Sequence, residues 1–343
     1  MAVSSPYISF VVASRNDDHG GNLLFRMQLF TDALIAQCNR HCLDAELIVV
    51  EWNPAPERPR LFEALRWPEN TGRCAVRFIE VPETVHRRFE NSDKLPLFQM
   101  IAKNAGVRRA HGSFVLATNI DILFSDELMQ TLASGQLRTD RMYRVDRYDV
   151  TADLPAGLTV PEQLAWCRKH VTRMYRNGGT FEIKGGKTVP VHPANQSLKG
   201  RLKRLFAWLA PSLHTNACGD FTLLSRDKWQ AVRGYPEMEI FSYYLDGLLC
   251  HAAHFAGARE TCLKDPMRIY HIEHDPGSGW TPGIGGLMME ERLEKAGITR
   301  LDYSQYLTWV NQMKKEKAPI FFNKDDRWGL VDMPLVERIV APR

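Results

Sequence analysis

Residues 103–128 (KNAGVRRAHGSFVLATNIDILFSDEL) constrain this chain more than any other stretch. They read as the end of a helix, a break at Gly112, and an apolar run over 114–117 that suits a buried strand. The strand hands over to Asn119 and Asp121, two oxygen-bearing side chains one residue apart. In extended chain, residues i and i+2 point the same way, so both oxygens would face one cleft. A carboxylate and an amide so placed suit a hard divalent cation that is partly satisfied by phosphate oxygens. They equally suit an Asx turn that closes the strand, and the spacing leaves both readings open.

The segments before this stretch alternate between strand and helix. Residues 7–13 (YISFVVA) are β-branched and aromatic, as in a central parallel strand. They stop at a polar loop containing Ser14, Arg15 and Asn16, the position where open α/β sheets bind ligands. Residues 23–38 carry apolar side chains at helical spacing. The next strand, 46–51, ends in Glu51, which would face either a nucleotide ribose or base, or solvent. A short helix over 61–65, a strand over 76–81 and a helix over 96–109 lead back to the organising stretch. This order predicts a mixed, mostly parallel sheet flanked by helices.

After a strand over 143–150, the character changes over about residues 151–212. A helix over 164–175 is followed by glycine-broken loops and a basic amphipathic stretch at 199–211. That stretch suits either an ordinary packed surface helix or one lying near anionic lipid. Regular alternation resumes with a strand over 217–225 and a helix over 226–232. It continues with a helix from Leu245 that has Asp246 in its first turn, and a strand over 268–271. Trp280 among Gly277, Gly279 and Gly283 suits a loop that folds over a ligand. Further helices are expected at 288–296 and 303–317.

With 44 basic against 40 acidic residues and a net charge of +4, nothing points to nucleic acid as a partner. The seven cysteines form no regular framework, so reduced thiols are expected. No basic leader precedes a long apolar segment, and no apolar run reaches about 18 residues. The expectation is a cytoplasmic protein with at most peripheral membrane contact.

Taken together, these residues resemble a GT-A-fold glycosyltransferase, most closely the family-2 type. Asn104, Gly106, Ala110 and Gly112 match that family's N-x-G-x-x-x-A-x-G lead-in, with Asn119-Ile120-Asp121 at its Asp-x-Asp motif. Residues 219–226 match its G-x-F-x-L-x-x-R element, and residues 234–237 its Gly-Tyr-Pro-Glu turn. Leu245-Asp246 stands at its acidic pair, and the resemblance spans about residues 7–130 and 215–275.

The resemblance implies a Rossmann-like nucleotide-diphospho-sugar transferase fold. Residues 1–130 would be the donor-binding half, 131–214 an acceptor-side insertion, 215–275 the catalytic half, and 276–343 a lid loop and helices. It implies a UDP- or GDP-sugar donor, a glycan or lipid-linked acceptor, a role in polysaccharide biosynthesis, and inversion at the transferred carbon. Asp121 would ligate manganese or magnesium together with His271 or His274. The imidazole would favour manganese, although His271 also suits a buried, hydrogen-bonded histidine. Asp246 would be the general base or, more plainly, a helix cap. Ser14, Arg15, Asn16, Glu51 and Asn119 would contact the donor. Two positions depart from the family pattern: Asn119 replaces an Asp, and Leu245 replaces the first residue of the acidic pair.

Competing readings are a nucleotidyl- or phosphoribosyl-transferase and a transferase fold that binds sugars or nucleotides without turnover. The loop after the first strand has one Arg and no Lys, against the nucleotidyltransferase pattern. A dehydrogenase would need a glycine fingerprint there, which is missing.

Overall fold

The computed structural model of the chain describes residues 5–18, 20–191, 213–274, 291 and 293–340. Strands β1 (Ile8–Ser14), β2 (Ala45–Trp52), β3 (Cys74–Val81) and β4 (Phe114–Ala117) form a parallel centre in the order β3-β2-β1-β4. Every residue of β1, β2 and β4 is buried. That is why they read as unbroken apolar runs, since both sheet faces are covered.

The helix Leu23–Arg40 packs with Phe10, Val12 and Leu47 on one face. The helix Gln99–Arg108 packs with Val11, Ile48 and Val50 on the other. Gly106 permits this second contact: a Cβ there would meet Val11 Cγ1 at 2.5 Å and Val50 Cγ2 at 3.0 Å. From the same helix, Asn104 Nδ2 donates to Tyr235 O and Glu237 Oε1, and its Oδ1 accepts from Tyr235 N. One buried amide thus fastens the 234–237 turn to the sheet-covering helix, which links two motifs far apart in sequence.

Beyond β4 the sheet turns antiparallel. Following β5 (Ile122–Phe124), β6 (Arg141–Val150) continues the main sheet. The hairpin strands β7 (Val171–Arg176), β8 (Gly179–Lys184) and β9 (Lys187–Pro190) extend it beyond β6. Strand β10 (Thr222–Ser225) lies between β4 and β6. Strand β11 (Arg259–Ile272) runs parallel to β6 and antiparallel to β5. Strand β12 (Val336–Val340) joins the far edge against β3.

Three expectations are revised. The helix expected over 164–175 occupies Val160–Lys169 and stops at His170, because β-branched Val171 and Thr172 begin β7. Residues 171–190 are therefore added sheet, with the expected glycine breaks forming its hairpin turns at 177–178 and 185–186. The last short strand is the 14-residue β11, and the tail supplies an edge strand that its composition did not signal. The stretch 199–211 and the loop containing Trp280 lie outside the described residues, as does the start of the helix expected at 288–296. Among the described residues no helix is long and apolar enough to cross a membrane.

Candidate active site

The site is built where β11 returns beside the turn after β4. Asp121 lies in that turn, immediately before β5, rather than in extended chain. The shared strand face expected for Asn119 and Asp121 is therefore not formed. The Ile272 N–H donates to Asp121 O at 3.1 Å, and the β11–β5 register sets His271 against Ile122. This places His271 Nε2 3.8 Å and His274 Nε2 3.4 Å from Asp121 Oδ2. The three ligand atoms lie within 4.8 Å of one another.

These residues fit a divalent cation. Metal–ligand bonds of about 2.0–2.2 Å bring ligand atoms to roughly this spacing. Asp121 is only 6% exposed, and its Oδ1 has no hydrogen-bond partner among the described residues. Arg26 Nη1 meets Oδ2 at 2.8 Å, so the second oxygen is the one left open. His271 Nδ1 lies 3.2 Å from Asp149 Oδ1, the partner that orients a metal-binding imidazole. Burial would raise the Asp121 pKa, but His271, His274 and Arg26 outweigh it and hold the carboxyl well below the usual range. Burial and Arg147 would lower that of His271, yet the Asp121 and Asp149 carboxylates raise it above its ordinary value.

A second group of charges borders the first. Arg147 sits between Asp149 and Asp220, with its guanidinium 4.1 Å above the Tyr175 ring. Asn119 Nδ2 donates to Asp220 Oδ1, while Asn119 Oδ1 accepts from Lys103 Nζ at 2.7 Å and Gln99 Nε2 at 3.1 Å. Lys103 also donates to Gly219 O at 2.8 Å. Burial pulls the Lys103 amine down to about 8, against the opposing pull of Asp220, Asp246 and Asp121.

One cavity of about 680 Å³ is bordered by Asp121, His271, His274, Asn119 and, from another element, Asp246. Asp246 occupies the first turn of the helix Leu245–Phe255, and its Oδ1 accepts from Gly247 N at 2.9 Å. The N-cap position itself is Tyr244, which makes no side-chain cap hydrogen bond, so Asp246 borders the cavity without serving as the cap. Ser14 and Arg15 border the same space, Arg15 steadied by Asn53 O and Asp17.

Glu51 and Asn16 do not border that cavity. Both Glu51 oxygens accept from Leu61 N at 3.0 Å, so this 2%-exposed side chain caps the helix Leu61–Ala64. Burial pushes its pKa up to about 7, partly offset by the Leu61 N–H and Arg60. Asn16 is buried with Nδ2 donating to Pro59 O at 2.8 Å. Both hold the 53–61 connection against the sheet. The residues that sequence reasoning missed are Arg26, Lys103, Arg147, Asp149 and Asp220. Arg147 and Asp149 stand at i,i+2 on a strand that also carries Arg141, Arg144 and Asp146, so their spacing did not single them out. The others carried no local signal.

Two measurements follow from this geometry. Asp149→Asn should weaken manganese affinity about 10–100-fold by titration calorimetry, since it loosens the His271 ring without removing a ligand; unchanged affinity would deny Asp149 that role. Because the folded pKa of Glu51 lies near 7, above the ordinary 4.5, its stabilising contribution is complete below that ordinary value and is lost as pH rises through 7. Glu51→Gln should flatten the stability–pH curve in this window and leave nucleotide affinity unchanged, whereas a loss of nucleotide affinity would return Glu51 to the donor site.

No protein-family model and no curated protein matches the chain. Solved structures that it resembles include S. aureus TarS, at 15% identity and a TM-score of 0.41, covering 78% of this chain and 36% of that one. Another is GalNAc-T7 with UDP, GalNAc and Mn2+, at 12% identity and a TM-score of 0.44, covering 93% and 53%. A third is the 1–349 segment of S. aureus TarS in complex with UDP-GlcNAc, at 15% identity and a TM-score of 0.44, covering 87% and 69%. The chain thus spans about a third to a half of the length of the first two.

Proposed function

We propose that this protein is a glycosyltransferase, moving a sugar from a uridine or guanosine diphosphate donor to an acceptor hydroxyl with the help of a divalent cation. This is the activity that its GT-A-like motifs imply. The observation that carries it is the bordering of one cavity by the Asp121–His271–His274 cluster and by Asp246. The two imidazoles favour manganese over magnesium. When bound, the cation neutralises charge developing on the leaving diphosphate.

The chain's own groups do the rest. Arg15 borders the cavity and offers a guanidinium to phosphate oxygens, while Arg26 is held by Asp121 and Gly21 O. With Oδ1 of Asp246 engaged by Gly247 N, Oδ2 is the oxygen that takes the acceptor's proton. The acceptor oxygen then forms its bond to the anomeric carbon as the bond from that carbon to the diphosphate oxygen breaks. The electron pair leaves with the nucleoside diphosphate, and a single displacement of this kind inverts the configuration.

Asn119 also has a physical reason to be an amide. Its N–H donates to Asp220, so a carboxylate at 119 would set two like charges against each other. The same engagement of Asn119 favours a second reading, a protein that binds nucleotide-sugars without turning them over.

Thermal shift and turnover separate the two. UDP or GDP should raise Tm only with manganese present, and Asp121→Ala should abolish that dependence. Asp246→Asn should keep nucleotide binding while donor turnover, read as nucleoside diphosphate release, falls about 10²–10⁴-fold. Wild-type turnover in that variant would refute the base, and binding without turnover in the wild type would favour the second reading.

A further inference from the structure

A smaller cavity of about 410 Å³ adjoins the first, and the two share Asp246, Tyr244, Thr215 and Asn216. We propose that it is the acceptor subsite and that it receives a pyranose ring, rather than a peptide or an alkyl chain. This rests on the glycosyl-transfer reading above.

The cavity carries three tyrosine rings in contact. Tyr244 and Tyr306 stack with centroids 5.2 Å apart at 26°, and Tyr303 and Tyr306 lie 5.9 Å apart at 18°. Tyr303 closes the triangle at 5.3 Å from Tyr244 and is 52% exposed. The cluster is held against the base. Tyr244 adopts a φ of 67° two residues before Asp246, a conformation that a bulky side chain keeps only where its surroundings enforce it. At Gly247, the residue after the base, a Cβ would meet the Tyr306 hydroxyl at 3.1 Å. The helix Tyr303–Glu316 therefore closes onto the start of the Asp246 helix.

The rest of the wall is planar and polar, from Arg176, Asn177 and Asn216. A pyranose ring has apolar C–H faces and a rim of hydroxyls. Tyrosine faces take up the first, and amide or guanidinium edges hydrogen-bond the second. An alkyl chain would desolvate these polar groups without pairing them, at a cost. A peptide strand recognised through its backbone would require an open sheet edge, whereas the strand that borders this cavity at Gly179, β8, is paired on both sides by β7 and β9.

Saturation-transfer NMR on the full chain tests this with methyl β-D-glucopyranoside, methyl β-D-galactopyranoside and methyl N-acetyl-β-D-glucosaminide. An acetylated Ser-Gly-Ser peptide and 1,6-hexanediol serve as comparison probes. At least one pyranoside should pick up saturation on ring C–H protons in the wild type. The signal should fall about fivefold or more in Tyr303→Ala, the loss of one aromatic contact, and persist in Tyr303→Phe. Absence of saturation for every pyranoside, saturation of the peptide or diol in their place, or an undiminished signal in Tyr303→Ala would overturn the proposal. UDP with manganese is titrated in parallel. Nucleotide binding without pyranoside binding sinks the subsite alone, whereas Tyr303-dependent pyranoside binding without nucleotide binding supports the subsite and sinks glycosyl transfer.

Discussion

A single buried carboxylate, Asp121, sets the terms for the rest of the site. An ionised carboxyl removed from water costs several kcal/mol unless it is paired and hydrogen-bonded. Here Arg26, His271 and His274 surround it. Arg26 comes from the helix that covers one sheet face, His271 from the far end of β11, and His274 from the chain just beyond it. Their convergence is a property of topology: β11 must run beside β6 and then pair with β5 to reach the turn that holds Asp121. Among the described residues, Asp121 Oδ1 has no hydrogen-bond partner, and that oxygen is what invites a cation.

The adjoining charges form a chain of dependencies. Asp149 serves both His271 and Arg147, Arg147 serves Asp220, and Asp220 receives the Asn119 amide, which is held in turn by Lys103. Such a network in a low-dielectric setting is rigid because each member would be left unpaired by the loss of its neighbour. The departure of Asn119 from the family pattern belongs to this network. A neutral amide satisfies both sides, because its N–H donates to Asp220 and its oxygen accepts from Lys103.

Much of the architecture was legible in residue pattern. The buried strands announced themselves as apolar runs, and the lead-in Asn and Gly were explained by contacts that only those residue types make. Asp121, His271, His274 and Asp246 do border one space. Where reading along the chain failed, the reason was a competing local demand. Glu51 ends its strand as expected, but a free helix N-terminus at Leu61 takes both its oxygens. Asn119 and Asp121 border one cavity, but they do so from a non-strand segment at 118–121 rather than from one strand face. Strand β7 begins where a helix was expected to continue, because β-branched residues follow His170. Lys103 was hidden inside a helical pattern, and nothing in sequence spacing marks a lysine that points inward to an amide.

The central claim is that Asp121, His271 and His274 hold a divalent cation against a nucleoside diphosphate. Pulsed electron paramagnetic resonance of the full chain with manganese and UDP addresses it directly. Nitrogen couplings from two imidazoles together with phosphorus coupling from the diphosphate, the nitrogen pattern halved in His274→Ala, is the result expected. A phosphorus coupling with no imidazole nitrogen would show the ion held by nucleotide alone and would contradict the account.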